Sequence, residues 1–188
     1  MENRRPRRSM RGHGLAIAGS TAIVVLLSLM SWAAAATNPP DAIGKIGVYA
    51  GAWKSRIVHY RTTYTKARVE NLAVRNDCWR SSSYYVCDQF VNGKSAAFIV
   101  YTYNASQHVY HLQVISKDGN PPVAGVLTIQ GNTWTFPWQY QDRGKMVFIR
   151  IVNVFPNRDR IDFHEGFSFD QIHWTATADG IERRVPSH

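Results

Sequence analysis

The chain has 188 residues, 45% hydrophobic and only 19% charged, with six Trp, nine Tyr and eight Phe, which is enough apolar material for one packed core. Disorder, collagen and coiled coil are excluded by that composition. Two cysteines are too few for a disulfide-framework miniprotein, and no Cys/His cluster has zinc-finger spacing, so no metal ligands are assigned.

The N-terminal stretch divides into a basic part, with Arg4, Arg5, Arg7, Arg8 and Arg11 against Glu2, and an uncharged run from Leu15 to Ala36. That layout predicts a signal peptide over residues 1–36. Ala34 and Ala36 fit an A-x-A site, which places cleavage between Ala36 and Thr37 and a single mature domain at 37–188. The alternative is an uncleaved anchor, since an uncharged run of this length spans a bilayer with the arginines held inside. Either way the domain is expected outside the cytoplasm, periplasmic or extracellular, with membrane contact only through an uncleaved N-terminal segment. Removing residues 1–36 leaves 17 basic against 12 acidic residues, so the net charge falls from +9 to +5. The remaining bases are scattered, with Arg183-Arg184 the only adjacent pair, and no nucleic-acid partner is implied.

Cys78 and Cys87 both lie in the exported part, with Ser81-Ser82-Ser83 between them as a turn. A disulfide across a hairpin is the expectation.

After Pro39-Pro40 the segment Asp41 to Tyr49 predicts a short helix, with Asp41 at its start and Ile43 and Ile46 on one side. Beyond Gly51 the pattern becomes short β-rich runs. Asn92-Gly93, Asp118-Gly119, Gly131-Asn132 and Asp179-Gly180 are two-residue hairpin dipeptides, and Asp142-Arg143-Gly144 fits a three-residue loop.

Each turn sets a register that the hydrophobic pattern then tests, because a slip of one residue moves every side chain to the other face. Pairing about Gly131-Asn132 sets Ile129 opposite Trp134 and Leu127 opposite Phe136. Through Asp142-Arg143-Gly144, Trp138 meets Phe148 and Phe136 meets Arg150. A loop over Pro156 to Asp159 then sets Arg150 opposite Glu165, and a turn at Phe169-Asp170 adds Ile172, Trp174 and Ala176. In the other direction the turns add Leu112, Tyr110 and His108, then Ile99, Tyr101 and Tyr103, then Val86 and Tyr84. One parity is largely apolar across seven or eight strands. Val147, Ile149 and Ile151 break the rule.

A meander of about ten antiparallel strands with one apolar face buries that face by coiling into an up-and-down β-barrel, which also removes exposed edges. The helix would cap one mouth. A two-sheet sandwich is the alternative.

The segments GKIGVYAGAW (Gly44 to Trp53), CWRSSSYYVC (Cys78 to Cys87), YTYNASQHVYHL (Tyr101 to Leu112), LTIQGNTWTF (Leu127 to Phe136) and FSFDQIHWTATADG (Phe167 to Gly180) resemble, in this order, blocks of a family of secreted bacterial calycin-like domains of unknown function. The resemblance covers essentially the whole mature chain and implies a lipocalin-like or fatty-acid-binding-protein-like barrel. It supplies no reaction and no catalytic residues. More distantly, the Gly51-Ala52-Trp53 opening is similar to nitrobindin-type haem barrels.

The expected interior row holds Tyr84, Tyr101, Tyr110, Leu127, Phe136, Arg150, Glu165 and Trp174, with Trp138 and His59 on the same parity and Trp53 as a further candidate. An interior guanidinium and phenols suit a ligand carboxylate, as in fatty-acid-binding-like barrels. Against that, Glu165 opposite Arg150 makes a structural ion pair, in which a lost partner costs about 3–5 kcal/mol. The tryptophans read as pocket walls or as barrel filling. Haem would need an inward His, for which His59 and His108 have the parity, and otherwise no cofactor is implied.

The function expected is therefore non-covalent binding of a small apolar or amphipathic molecule. An enzyme using the same lumen with Glu165 as acid or base, and a filled envelope barrel without a ligand, are the alternatives. No nucleophile elbow, phosphate loop or paired-His motif is present in the sequence. Oligomeric state is not legible.

Overall fold

A computed structural model describes residues 41–186; the expected signal peptide and its cleavage at Ala36–Thr37 lie outside the described residues. Ten strands follow a short 3-10 helix (Ile43–Tyr49): β1 (Gly51–His59), β2 (Arg68–Ser81), β3 (Tyr84–Val91), β4 (Lys94–Asn104), β5 (Val109–Ser116), β6 (Val123–Gln130), β7 (Thr133–Asp142), β8 (Lys145–Asn157), β9 (Arg160–Ser168) and β10 (Thr175–Arg184). Each strand pairs antiparallel with its neighbour in sequence, and β1 pairs with β10, so the sheet closes as an up-and-down barrel. Closure removes both edges, as the one-sided apolar pattern requires.

The helix covers what we term the lower end. Ile43 and Ile46 are buried on its barrel side, while the Asp41 carboxylate accepts the Gly44 N–H at 3.2 Å. Trp53 lies directly above, almost wholly buried, and donates from Nε1 to the Tyr49 carbonyl at 2.9 Å. Arg184 stacks its guanidinium 4.2 Å over the Trp53 ring and donates to the carbonyls of Val48 and Ala50, which ties the last strand to the first. Tyr49 packs edge to face on Trp134 and Phe155, which are tilted against each other, with centroids 4.9 to 5.6 Å apart. Tyr101, Tyr110 and Leu127 complete this lower core.

A second, smaller core of Val147, Ile149 and Phe167 fills the β8–β9 side of the upper end. Tyr64, from the 60–67 loop, covers it by packing its ring 5.0 Å from Phe167 and donating its hydroxyl to Asp142 at 3.2 Å.

Cys78 and Cys87 form the expected disulfide between β2 and β3, at directly paired positions. The turn between them is Ser82-Ser83, with Ser82 at φ 53.

Two hairpins have the expected pairing register, although β5 and β6 are joined by the longer connection 117–122 and not by a two-residue loop at Asp118-Gly119. Ile129 pairs with Trp134, and Tyr110 pairs with Leu127. The β4–β5 loop is displaced by two residues, so Tyr103 pairs with Tyr110 instead of His108; a shift of two preserves the face.

Three corrections concern slips of one. At Asn92-Gly93 the turn is as expected, with Val91 paired to Lys94, but a bulge shifts the register so that Cys87 faces Ile99 and Tyr85 faces Tyr101. The extra residue turns Tyr85, Cys87 and Gln89 inward and leaves Tyr84 outside, 47% exposed. Between β7 and β8 the loop has two residues, with Asp142 paired to Lys145 and positive φ at both Arg143 and Gly144. That geometry matches the strand twist. It pairs Trp138 with Ile149, so Val147, Ile149 and Ile151 face inward and Arg150 faces out. The three residues that broke the pattern are the inner face.

The β8–β9 connection is then also shorter than expected, which restores Phe163, Glu165 and Phe167 to the interior, but Glu165 pairs with Ile151 and Arg150 with Gly166. The expected Arg150–Glu165 pair does not exist. Finally, Asp179-Gly180 is not a turn. It lies within β10, paired with His164 and Phe163, and the turn before it is longer, so Ile172 and Trp174 belong to that connection.

Candidate functional site: the barrel lumen

Between the two cores lies a cavity of about 570 Å³. Its walls are aliphatic and aromatic: Ile57, Leu72, Val74, Ile99, Leu112, Ile151, Phe136 and Phe163, with Tyr101 and Trp138. A groove of about 770 Å³ beside β1, β2 and β10 is larger; it carries Lys54, Arg56 and Arg183 and shares Ser55 and Leu72 with the lumen.

The lower part of the lumen is polar. Asn76 donates from Nδ2 to the Tyr49 carbonyl at 3.1 Å, and Gln89 donates to the Asn76 side-chain oxygen at 3.2 Å. Asn153 donates from Nδ2 to the Tyr49 hydroxyl at 2.9 Å, while its Oδ1 is buried without a partner. Ser55 from β1 and Glu182 from β10 line the same cavity, directly opposite each other in the ladder.

Glu182 is the most distinctive group. Burial alone pushes its carboxyl up to about 6, because the charged form has lost water and gained no counter-charge. Burial likewise raises the Tyr49 phenol, with Tyr101 and, least, Glu182 adding to the effect while the Asn153 hydrogen bond opposes it, and burial raises that of Tyr101. No Lys, Arg or His lines the lumen among the described residues.

The wall has a gap. The β6–β7 ladder consists of three pairs, ending at Thr128 and Thr135, although both strands continue upward. Pro137, next to the point of divergence, has no N–H with which to extend it. Val123, Ala124, Gly125 and Val126 on one side and Phe136, Pro137 and Trp138 on the other line the resulting slit, where Val123 is 59% and Trp138 44% exposed.

Of the residues expected inside, Tyr101, Phe136 and Trp138 line the cavity. Trp53 and Tyr110 face inward but are sealed into the lower core, with the Tyr110 hydroxyl donating to the Ala42 carbonyl at 2.7 Å. His59 and Glu165 flank Ala178 on adjacent strands at the upper end, away from the cavity lining. His59 Nε2 is 3.0 Å from Glu70, and burial raises the Glu165 carboxyl while the nearby His59 opposes that shift. Arg150, Trp174 and Tyr84 are outside. Arg150 stacks 4.1 Å over Trp174 on the outer wall. His108 is exposed in the β4–β5 turn and cannot serve as an inward ligand.

Sequence reasoning missed Glu182, Asn153, Asn76, Gln89 and Ser55. Reading Asp179-Gly180 as a turn ended the last strand too early, and the alternation Ala178, Gly180, Glu182 was the only trace of the true inner row.

Fold and cavity together define a closed, ten-stranded antiparallel barrel with an internal, mainly apolar chamber. No family model and no curated protein matches the sequence. Among solved structures the chain is similar to Rv2717c from M. tuberculosis, at 9% identity over 78% of this chain and 99% of that one, TM-score 0.47. It is also similar to the S-type phycobiliprotein lyase CPES from Guillardia theta, at 15% identity over 77% and 92%, TM-score 0.48. A redesigned beta barrel matches at 12% identity over 74% and 94%, TM-score 0.33. The barrel itself is established by the chain's own strand pairing.

Proposed function

We propose that this protein is an exported binding module that holds a small apolar or amphipathic molecule, non-covalently, inside the barrel. The observation that carries this reading is the chamber of about 570 Å³, walled by aliphatic and aromatic side chains and furnished with only a few polar groups. Ligand sites have this size and composition, with sparse polar groups to orient the guest. The disulfide and the basic-then-apolar layout of residues 1–36 support export. The Gly51-Ala52-Trp53 opening, with Trp53 buried beneath Arg184, supports kinship with calycin-like barrels. Neither a cofactor nor a nucleic acid enters the proposal.

Native mass spectrometry of the mature protein, followed by organic extraction, and titration with the neutral apolar dye Nile red test it. Saturable one-to-one dye binding that Leu112→Trp abolishes by filling the chamber is the expected result. A clean apo mass together with no dye binding would leave the barrel as a structural domain without a guest and overturn the proposal.

A further inference from the structure

The polar end of the lumen carries an acidic group without a counter-charge. Glu182 projects from β10 beside Ser55, and among the described residues no ionised partner relieves its burial. The basic residue nearest in sequence on the same face, Arg184, is spent at the lower end. It holds the carbonyls of Val48, Ala50 and Arg158 and the Asp159 carboxylate.

A second, independent feature points the same way. Asn153, on β8, is 8% exposed and lines the same chamber; its Nδ2 is satisfied by the Tyr49 hydroxyl, and its Oδ1 is an acceptor without a donor. Glu182, Asn153 and Tyr49 all line this one chamber, and the Asn153 amide meets the Tyr49 hydroxyl there. A buried acceptor left unpaired, such as the Asn153 Oδ1, is costly, and the half-buried Glu182 carboxylate facing the same chamber without a cation adds to that cost.

We infer that the lumen selects apolar molecules ending in a protonated amine, with the ammonium donating to the Glu182 carboxylate and the Asn153 Oδ1. The inference rests on the lumen being the ligand site and goes further by naming the ligand's chemistry. An alkylammonium supplies the missing counter-charge and up to three donors, while its chain fits the aliphatic walls. An anionic head in the same place would meet Glu182 with like charge and no cation to offset it. This reverses the carboxylate specificity expected from an interior Arg150.

The test is displacement of Nile red at pH 7.5 by n-decylamine, n-decanol and n-decanoate, which share one chain and differ in head group. The amine should bind at least about tenfold more tightly than the alcohol, the range of a charge-assisted hydrogen bond, and the carboxylate should be weakest. Glu182→Gln should bring the amine down to the level of the alcohol while decanol binding persists, and Asn153→Ser should reduce the amine preference in part. Equal binding of amine and alcohol, tightest binding of decanoate, or an amine preference that survives Glu182→Gln would overturn the inference. It would leave the lumen as an apolar site of other chemistry. Failure of the dye and all three probes to bind would instead remove the binding-module reading, and this inference with it. The comparison of the three head groups needs only the unmodified protein, so it stands even if a variant fails to fold.

Discussion

Ser55 lies directly opposite Glu182 on the seam where β1 meets β10, the pairing that closes the barrel. The Glu182 carboxyl, without an ionised partner among the described residues, therefore enters the lumen where the two ends of the meander meet.

Glu182 makes stability depend on pH in a definite direction. Its carboxyl is pushed up to about 6 from an ordinary 4.5, so the native state holds the proton more tightly than the unfolded chain does. The associated stability is complete below about pH 4.5 and is lost as pH rises through about 6, a change of about 2 kcal/mol. Glu165 is shifted in the same direction by burial. Glu182→Gln is expected to raise stability at pH 7.5 by about 1–2 kcal/mol and to flatten the dependence between pH 4.5 and 6. Urea denaturation at pH 5 and 7.5 checks it, and no gain at pH 7.5 would show that the carboxyl is well solvated.

Arg150 and Trp174 form a stacked pair on the outer wall. An exposed cation–π contact contributes about 0.5–1 kcal/mol, so Arg150→Met should cost no more than that. It should leave Nile red affinity unchanged. A large loss of dye affinity in this variant would place Arg150 back inside the barrel.

The Cys78–Cys87 bond spans nine positions in sequence between adjacent strands. Chain-entropy reasoning assigns such a short loop about 2–3 kcal/mol. Replacing both cysteines by Ala is expected to lower stability by about that amount, read from denaturation midpoints with and without reductant. Reductant should then affect the parent protein and not the variant.

The slit beside Pro137 is the break in the wall through which a guest would pass. Val126 stands at its edge, paired with His111 between the inward positions Gly125 and Leu127, and Val126→Trp places a large side chain there. Stopped-flow dye binding should show association and dissociation slowed by a similar factor, with the equilibrium affinity nearly constant, since a plugged passage alters the barrier and not the site. Unchanged rates would mean that the dye enters through the upper end.

Much of the architecture is legible in the sequence. The turn dipeptides Gly131-Asn132 and Asp118-Gly119 located the correct pairings of Ile129 with Trp134 and of Tyr110 with Leu127. The disulfide and the burial of Ile43, Ile46, Trp53 and Leu127 also follow from local pattern. The inner set on β3 and β8 was misread because a bulge and a two-residue loop each move the register by one, and either choice suits the local dipeptide equally well. Hydrophobicity offered the remedy at Val147, Ile149 and Ile151, whose apolar run marked the true inner face of β8.

The residues of the chain by themselves determined that it would be an antiparallel meander, closed on itself, with a short N-terminal cap and one cross-strand bridge. Alternation and turn chemistry are local, and they survive an error of one position. Only the tertiary structure decided that Arg150 turns outward, that β6 and β7 part above Thr128, and that Glu182 and Asn153 line one chamber. Those facts depend on the summed register of ten strands around a closed ring, where each single-residue step carries through to every strand beyond it.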